Sequence, residues 1–162
     1  MLRVLALGGG VVVLDQLVKA VVLSHLAPGT HIDIVEGFVT LTLVMNPGLA
    51  FGLLGGVPTG WRWVVAVLSL AALVVLARVA LRVLPGGSRL DHVAIGLIFG
   101  GAIGNLIDRL RFGAVVDFVD VHVRGYHWPA FNVADSAISV GVVLLAVRLL
   151  LRPAPAVSEA DR

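Results

Sequence analysis

Four stretches of this chain, at about 2–26, 61–84, 90–110 and 133–151, are long and apolar enough to cross a bilayer, which takes roughly 20 mostly apolar residues. Inside hydrocarbon only helices and closed barrels satisfy their own backbone groups. The expected fold class is therefore an all-α membrane protein with four transmembrane helices. Composition agrees: of 162 residues, 59% are apolar or aromatic and 14% are charged, against roughly 45–50% and about 25% in soluble domains. The pI of about 9.9 reflects scarce acids. No Lys/Arg run is present to follow a phosphate backbone, so nucleic acid is not an expected partner. The chain has no cysteine, which removes disulfides, thiol nucleophiles and thiolate-bound metals. The first stretch reads as a retained span rather than a cleaved leader, because it runs on through Asp15 and Lys19 and no small-x-small site follows.

Residues 1–152 read as one transmembrane domain, and 153–162 as a polar, Pro/Ala-rich cytoplasmic tail expected to be disordered. Arg3, Arg78, Arg82, Arg89, Arg148, Arg152 and Arg162 fall on the side of the termini, while the long connection 27–60 contains no Lys or Arg. The positive-inside rule then puts both termini in the cytoplasm and the two longer connections outside. Within 27–60, Val39, Leu41, Leu43 and Met45 alternate with Thr40 and Thr42, and Asn46-Pro47-Gly48 makes a turn. This predicts a small β-like cradle, about 31–56, at the membrane surface.

An ionisable residue inside a span costs roughly 2.5–3.5 kcal/mol on insertion scales. Here such residues gather at one depth. Asn105, Asp108, Arg109, Asp117, Asn132 and Asp135 sit near the outer ends of the third and fourth spans, and Asp15 and Lys19 in the outer half of the first. Asp15 and Lys19, at i,i+4, are either a self-neutralised anchor or a substrate contact. Asp108 adjoins Arg109 and reads as an ionised structural clamp. Asp117 stands among apolar neighbours without an adjacent cation. Asp135 follows Asn132 at the spacing of a capping box, so it reads equally as a helix cap or as a catalyst. Asp120 reads as a solvated loop acid. Gly96, Gly100 and Gly104 mark close helix approach rather than phosphate binding. His122 and His127, with Asp117 and Asp120, match no standard metal spacing, so neither a metal nor a cofactor is expected. No serine elbow is present.

Two carboxylates brought within a few Å cannot both ionise and share a proton. If Asp117 and Asp135 face each other, one would serve as base to a water and the other as acid to a carbonyl oxygen. That would suit cleavage of a membrane-anchored substrate at the outer interface. Two other classes fit less well. A proton or cation path would need polar stepping-stones in the inner halves of the spans, which are almost purely apolar. A scaffold docking through its Gly-rich third span gives Asp117 and Asp135 no task.

Five blocks then resemble one family in order: Asp15-Gln16-x-x-Lys19; Asn46-Pro47-Gly48-x-Ala50-Phe51; Gly100-Gly101-x-x-Gly104-Asn105-x-x-Asp108-Arg109; Val116-Asp117-Phe118; and Phe131-Asn132-x-Ala134-Asp135-Ser136. They resemble bacterial lipoprotein signal peptidase (signal peptidase II) across about residues 10–150. The resemblance implies a membrane aspartyl endopeptidase of the inner membrane. It would cut prolipoproteins just before a diacylglyceryl-modified cysteine, with Asp117 and Asp135 as the catalytic pair. It also implies that Asp15, Lys19, Asn46, Gly48, Asn105, Asp108, Arg109 and Asn132 support the pair, position substrate or hold the fold. The implied partners are the lipidated precursor and membrane lipid; a monomer is expected. The family's cradle and flexible outer loop suit 32–51. Leu49 departs from the pattern, standing where a small residue is expected.

Overall fold

The computed structural model describes residues 1–48, 60 and 62–151. Trp61, the 49–56 part of the expected cradle, including Leu49, Ala50 and Phe51, and the tail 153–162 lie outside the described residues. Among the described residues, four helices are long and apolar enough to cross a membrane. They are α1 (Leu2–His25), α2 (Arg62–Val83), α3 (Arg89–Phe112) and α4 (Val133–Leu150). Their apolar side chains are displayed outward rather than buried, as with Leu5, Leu17, Val75, Val143 and Leu149. That is the arrangement expected where lipid rather than water is the surrounding solvent.

Local chemistry sets the helix ends. A 3₁₀ turn at Leu84–Gly86 closes α2. Ser88 then caps α3, accepting from the Asp91 N–H while its own N–H donates to Asp91 Oδ2 at 2.6 Å. Gly113, in the left-handed region at φ 67°, ends α3 with its N–H on the Arg109 carbonyl, a conformation that glycine adopts at no steric cost.

α3 is the hub, packing on α1, α2 and α4. Its glycines allow this. A Cβ on Gly100 would stand 2.6 Å from the Gly8 carbonyl of α1, and one on Gly104 would stand 2.7 Å from Asp15 Oδ2. Gly100→Val is therefore expected to force α1 off α3 and cost about 1–3 kcal/mol, read as a lower midpoint in detergent unfolding. An unchanged midpoint would show that the two helices do not meet there.

The extramembrane part is a four-stranded antiparallel sheet in the order β1-β2-β3-β4. Its strands are β1 (His31–Val35), β2 (Val39–Asn46), β3 (Val115–Val123) and β4 (Tyr126–His127). β2 pairs β3 with Val44 opposite Asp117. The alternation at 39–45 is the strand the sequence predicts. β3 is the strand it does not predict, and its presence moves Asp120 from a loop into a ladder opposite Thr40. Beneath the sheet, Val22 of α1 and Leu26 just past its end pack with Leu43, Val116 and Phe118. A second apolar cluster of Val4, Ala80, Leu84 and Ile95 lies toward the other end of the helices. Along α1 the order is thus apolar, then Asp15 and Lys19, then apolar again. The polar layer is closed above and below.

Candidate active site

The layer is built around one buried ammonium. Lys19, 2% exposed, has three N–H donors and three close acceptors: Asp108 Oδ2 at 2.7 Å, Asp15 Oδ2 at 2.8 Å and Asn105 Oδ1 at 3.2 Å. The i,i+4 pair expected on α1 exists, but it is half of a larger arrangement that ties α1 to α3. The remaining oxygens are also occupied. Asp15 Oδ1 accepts the Ala134 N–H of α4 at 2.9 Å and Asp108 Oδ1 accepts Gln16 Nε2 at 2.9 Å, while Asp108 Oδ2 also takes the Val116 N–H of β3 at 3.1 Å. Asp108 is a clamp as expected, with one correction. The cation in contact with it is Lys19 rather than the adjacent Arg109, because the Arg109 side chain turns toward the β2 end. There it donates to the Gly48 carbonyl at 2.9 Å and to the Asn105 carbonyl at 3.2 Å.

The ammonium fixes the next shell of amides. It carries only donors, so Asn105 must present its oxygen to Lys19 and its Nδ2 elsewhere. That Nδ2 donates to Asp135 Oδ1 at 2.8 Å. Asn105 Oδ1 also accepts from Asn132 Nδ2 at 3.2 Å, which orients the second amide the same way. Asn132 Nδ2 then donates to Asp117 Oδ1 at 2.7 Å. The order Lys19, Asn105, Asn132 therefore delivers one N–H to each of two carboxylates.

Asp117 and Asp135 arrive from different elements. Asp117 is on β3, 2% exposed, and receives a second donor, Asn46 Nδ2 at the end of β2, on Oδ2 at 3.0 Å. Asn46 Oδ1 in turn accepts the Gly48 N–H at 3.0 Å, so the turn after β2 sets its orientation. Asp135 is the third residue of α4. Its N–H bonds to Asn132 Oδ1 at 2.9 Å and its Oδ2 accepts the Asn132 N–H. The capping box read from Asn-x-x-Asp is present. The two readings of Asp135 are not exclusive: its cap oxygen is Oδ2, while Oδ1 lies within the amide relay. Asn132 touches both carboxyl groups, one through its side chain and one through its backbone.

Burial pushes the Asp117 carboxyl up to about 7. The nearby charge of Asp135 acts in the same direction, outweighing the Asn46 and Asn132 hydrogen bonds and the charge of Lys19, which favour the anion. Asp135 is thus close enough to Asp117 to oppose its ionisation. The donors around them are amides and an ammonium, so this pair is suited to proton transfer rather than to holding a metal.

The ten residues that the resemblance assigns to the pair and its support meet here: Asp15, Lys19, Asn46, Gly48, Asn105, Asp108, Arg109, Asp117, Asn132 and Asp135. One further participant is Gln16, whose Nε2 donates to Asp108 Oδ1 at 2.9 Å and to the Gly104 carbonyl at 3.3 Å. Its sequence signal is its place in the Asp15-Gln16-x-x-Lys19 block.

Comparison with known proteins bears on the family. A family model described as signal peptidase (SPase) II matches residues 7–151. The lipoprotein signal peptidase of Syntrophus aciditrophicus is 41% identical over 145 residues, 88% of each chain. That of Desulforapulum autotrophicum is 43% identical over 150 residues, 90% of each. That of Burkholderia mallei is 47% identical over 136 residues, 83% of this chain and 80% of the relative. A solved bacterial membrane enzyme, 33% identical, superposes with a TM-score of 0.72 over 91% of this chain and 87% of its own. Sequence and fold lead to one conclusion: the chain belongs to the signal peptidase (SPase) II family, the aspartic peptidases of family A8 that process prolipoproteins.

Proposed function

We propose that Asp117 and Asp135 are the catalytic pair, and that they activate one water to cut a diacylglyceryl-modified prolipoprotein just before its lipidated cysteine. The observation that carries this reading is Asn132, which holds Asp117 Oδ1 through its side chain and Asp135 Oδ2 through its backbone N–H. A carboxylate oxygen accepts more than one hydrogen bond, so both groups keep capacity toward a shared water.

The ionised member of the pair takes a proton from the water as its oxygen bonds to the scissile carbonyl carbon. The protonated member gives its proton to the carbonyl oxygen, and a gem-diol results. A gem-diol hydroxyl then returns a proton to one carboxylate while the other carboxyl protonates the amide nitrogen. The C–N bond breaks, leaving a carboxyl terminus on the signal peptide and a free amine on the cysteine. Lys19 and the asparagines do not exchange protons. They hold the pair in place, in an enclosed layer where fixed dipoles act strongly.

The site lies at the sheet end of α1, with roughly 20 Å of helix between Leu2 and Asp15 on the other side. That depth suits a substrate whose acyl chains stay in the membrane while its peptide bond reaches the interface. We place the enzyme in the bacterial inner membrane as a monomer in contact with lipid, with both termini cytoplasmic and the sheet outside. Asn46, Gly48 and Arg109 form one edge of the site, where they position substrate. The test is cleavage of one precursor in two forms by purified protein in lipid or detergent. Only the diacylglyceryl form is expected to be cut, and equal cleavage of the unmodified form would remove the lipid from the reading.

The pair needs one proton between its two members. With Asp117 held at about 7, kcat/KM is expected to fall as pH rises past that value and the shared proton is lost. Asn46 donates to Asp117 and favours its anion. Asn46→Ala should therefore move the alkaline limb to higher pH while lowering the maximum rate by roughly 10–100-fold. A pH profile unmoved by that variant would separate Asn46 from the reacting carboxyl.

A further inference from the structure

We propose that Asp120, His122 and His127 form a binding site for one transition-metal dication of the zinc class at the far end of the β3–β4 hairpin. One ligand atom from each residue lies within 4.8 Å of the other two. Asp120 and His122 alternate along β3 and so share a face, and His122 stands directly opposite His127 in the antiparallel register. Arg124 at φ 52° and Gly125 at φ 83° make the connection, a two-residue loop of the kind that locks hairpin register. The positions are therefore fixed by backbone pairing before any ion binds.

The side chains are already gathered. The two imidazoles stack with centroids 4.8 Å apart, and His127 Nδ1 lies 2.8 Å from Asp120 Oδ2. The Nδ1 of His122 is enclosed and has no hydrogen-bond partner among the described residues. A buried polar nitrogen without a partner is costly, and a bound ion would satisfy it. The His127 side chain is 57% exposed, which gives an ion a route in from solvent. Two imidazoles and a carboxylate form a borderline donor set that favours zinc, copper or nickel over magnesium and calcium. Three protein ligands leave a position for water.

An ion here would brace the hairpin that builds the proteolytic site. β4 is only two residues long, too short to hold itself. Beyond it the chain returns along β3, with the Trp128 N–H on the Val121 carbonyl at 2.8 Å and the Phe131 N–H on the Val119 carbonyl at 3.0 Å, and so reaches Asn132. Asp117 leaves one arm of this loop and Asn132 the other. Sequence spacing could not suggest the site, because strand pairing rather than a helical or C-x-x-C interval brings the ligands together.

The test is titration of tag-free, full-length protein in detergent with Zn²⁺, and with Co²⁺ for its absorption bands. The expected result is saturable binding of about one ion per chain, with a rise in Tm. Affinity should be at least roughly tenfold lower in His127→Asn and lost in the His122→Asn, His127→Asn double variant. Because His127 is exposed, its single variant should keep the metal-free Tm and lose only the rise. His31→Asn, on β1, should bind as the parent does. Absence of saturable binding in the parent would overturn the proposal, as would binding that survives removal of both histidines.

Discussion

Asp117→Asn is expected to lower turnover of a lipidated precursor by on the order of 10⁴-fold, the upper range for loss of a general acid or base, without unfolding the protein. The shape is unchanged, but the amide can neither hold nor take the shared proton. Stability should respond in a way that a folding defect does not. Asp117 binds its proton more tightly in the folded chain than the ordinary carboxylate value of 3.8 allows, at about 7. Its contribution to stability is present below about 4 and is lost as pH rises through 7. The asparagine variant escapes that loss, so the Tm difference should move in the variant's favour between pH 5 and pH 8. A variant that keeps full turnover would exclude Asp117 from the chemistry. One that loses both turnover and Tm would mark it as structural.

The second large effect is on stability. Lys19→Met should destabilise the protein by about 3–5 kcal/mol, the range for removing one partner from a buried ion pair. The thioether fills similar space, but Asp15 and Asp108, both 0% exposed, would face each other without the ammonium that both now contact. Asn105 would also lose the donor that fixes its amide, so the relay to Asp135 should loosen and activity fall as well. Adding Asp108→Asn to Lys19→Met removes one uncompensated charge and should recover part of the loss. Denaturant unfolding in mild detergent measures both. A single variant as stable as the parent would show that the buried triad is not what holds α1 to α3.

Much of this arrangement is legible in the chain because hydrocarbon makes polar residues conspicuous. The four spans match their helices within a few residues, and Asp15, Lys19, Asn105, Asp108, Asn132 and Asp135 could be picked out because each interrupts an apolar run. What was not legible depends on pairing in space. The cation next to Asp108 in the chain is Arg109, but the one that touches it is Lys19. That choice follows from Gly104, where the absent side chain lets Asp15 reach α3. β3 was missed because two valines before Asp117 and Phe118 break the period-2 pattern; both faces are buried there, as continuous apolar strands often are. Without β3, Asp120 reads as a loop acid, and His122 and His127 match no metal spacing because only the β3–β4 register sets them opposite each other. The role of Asp135 stayed open for a different reason. One residue serves as both helix cap and site carboxylate, and a sequence shows only the spacing common to the two.

The shared-water mechanism makes Asp117 and Asp135 one unit acting on one water. Its most direct test is a double-mutant cycle of Asp117→Asn and Asp135→Asn, with single-turnover cleavage of a lipidated precursor under excess enzyme. Groups that act as a unit lose their function once. The double variant is expected to cleave no more slowly than either single variant. A double variant slower by the product of the two single losses would mean that the carboxylates act independently, and would contradict the shared-water mechanism.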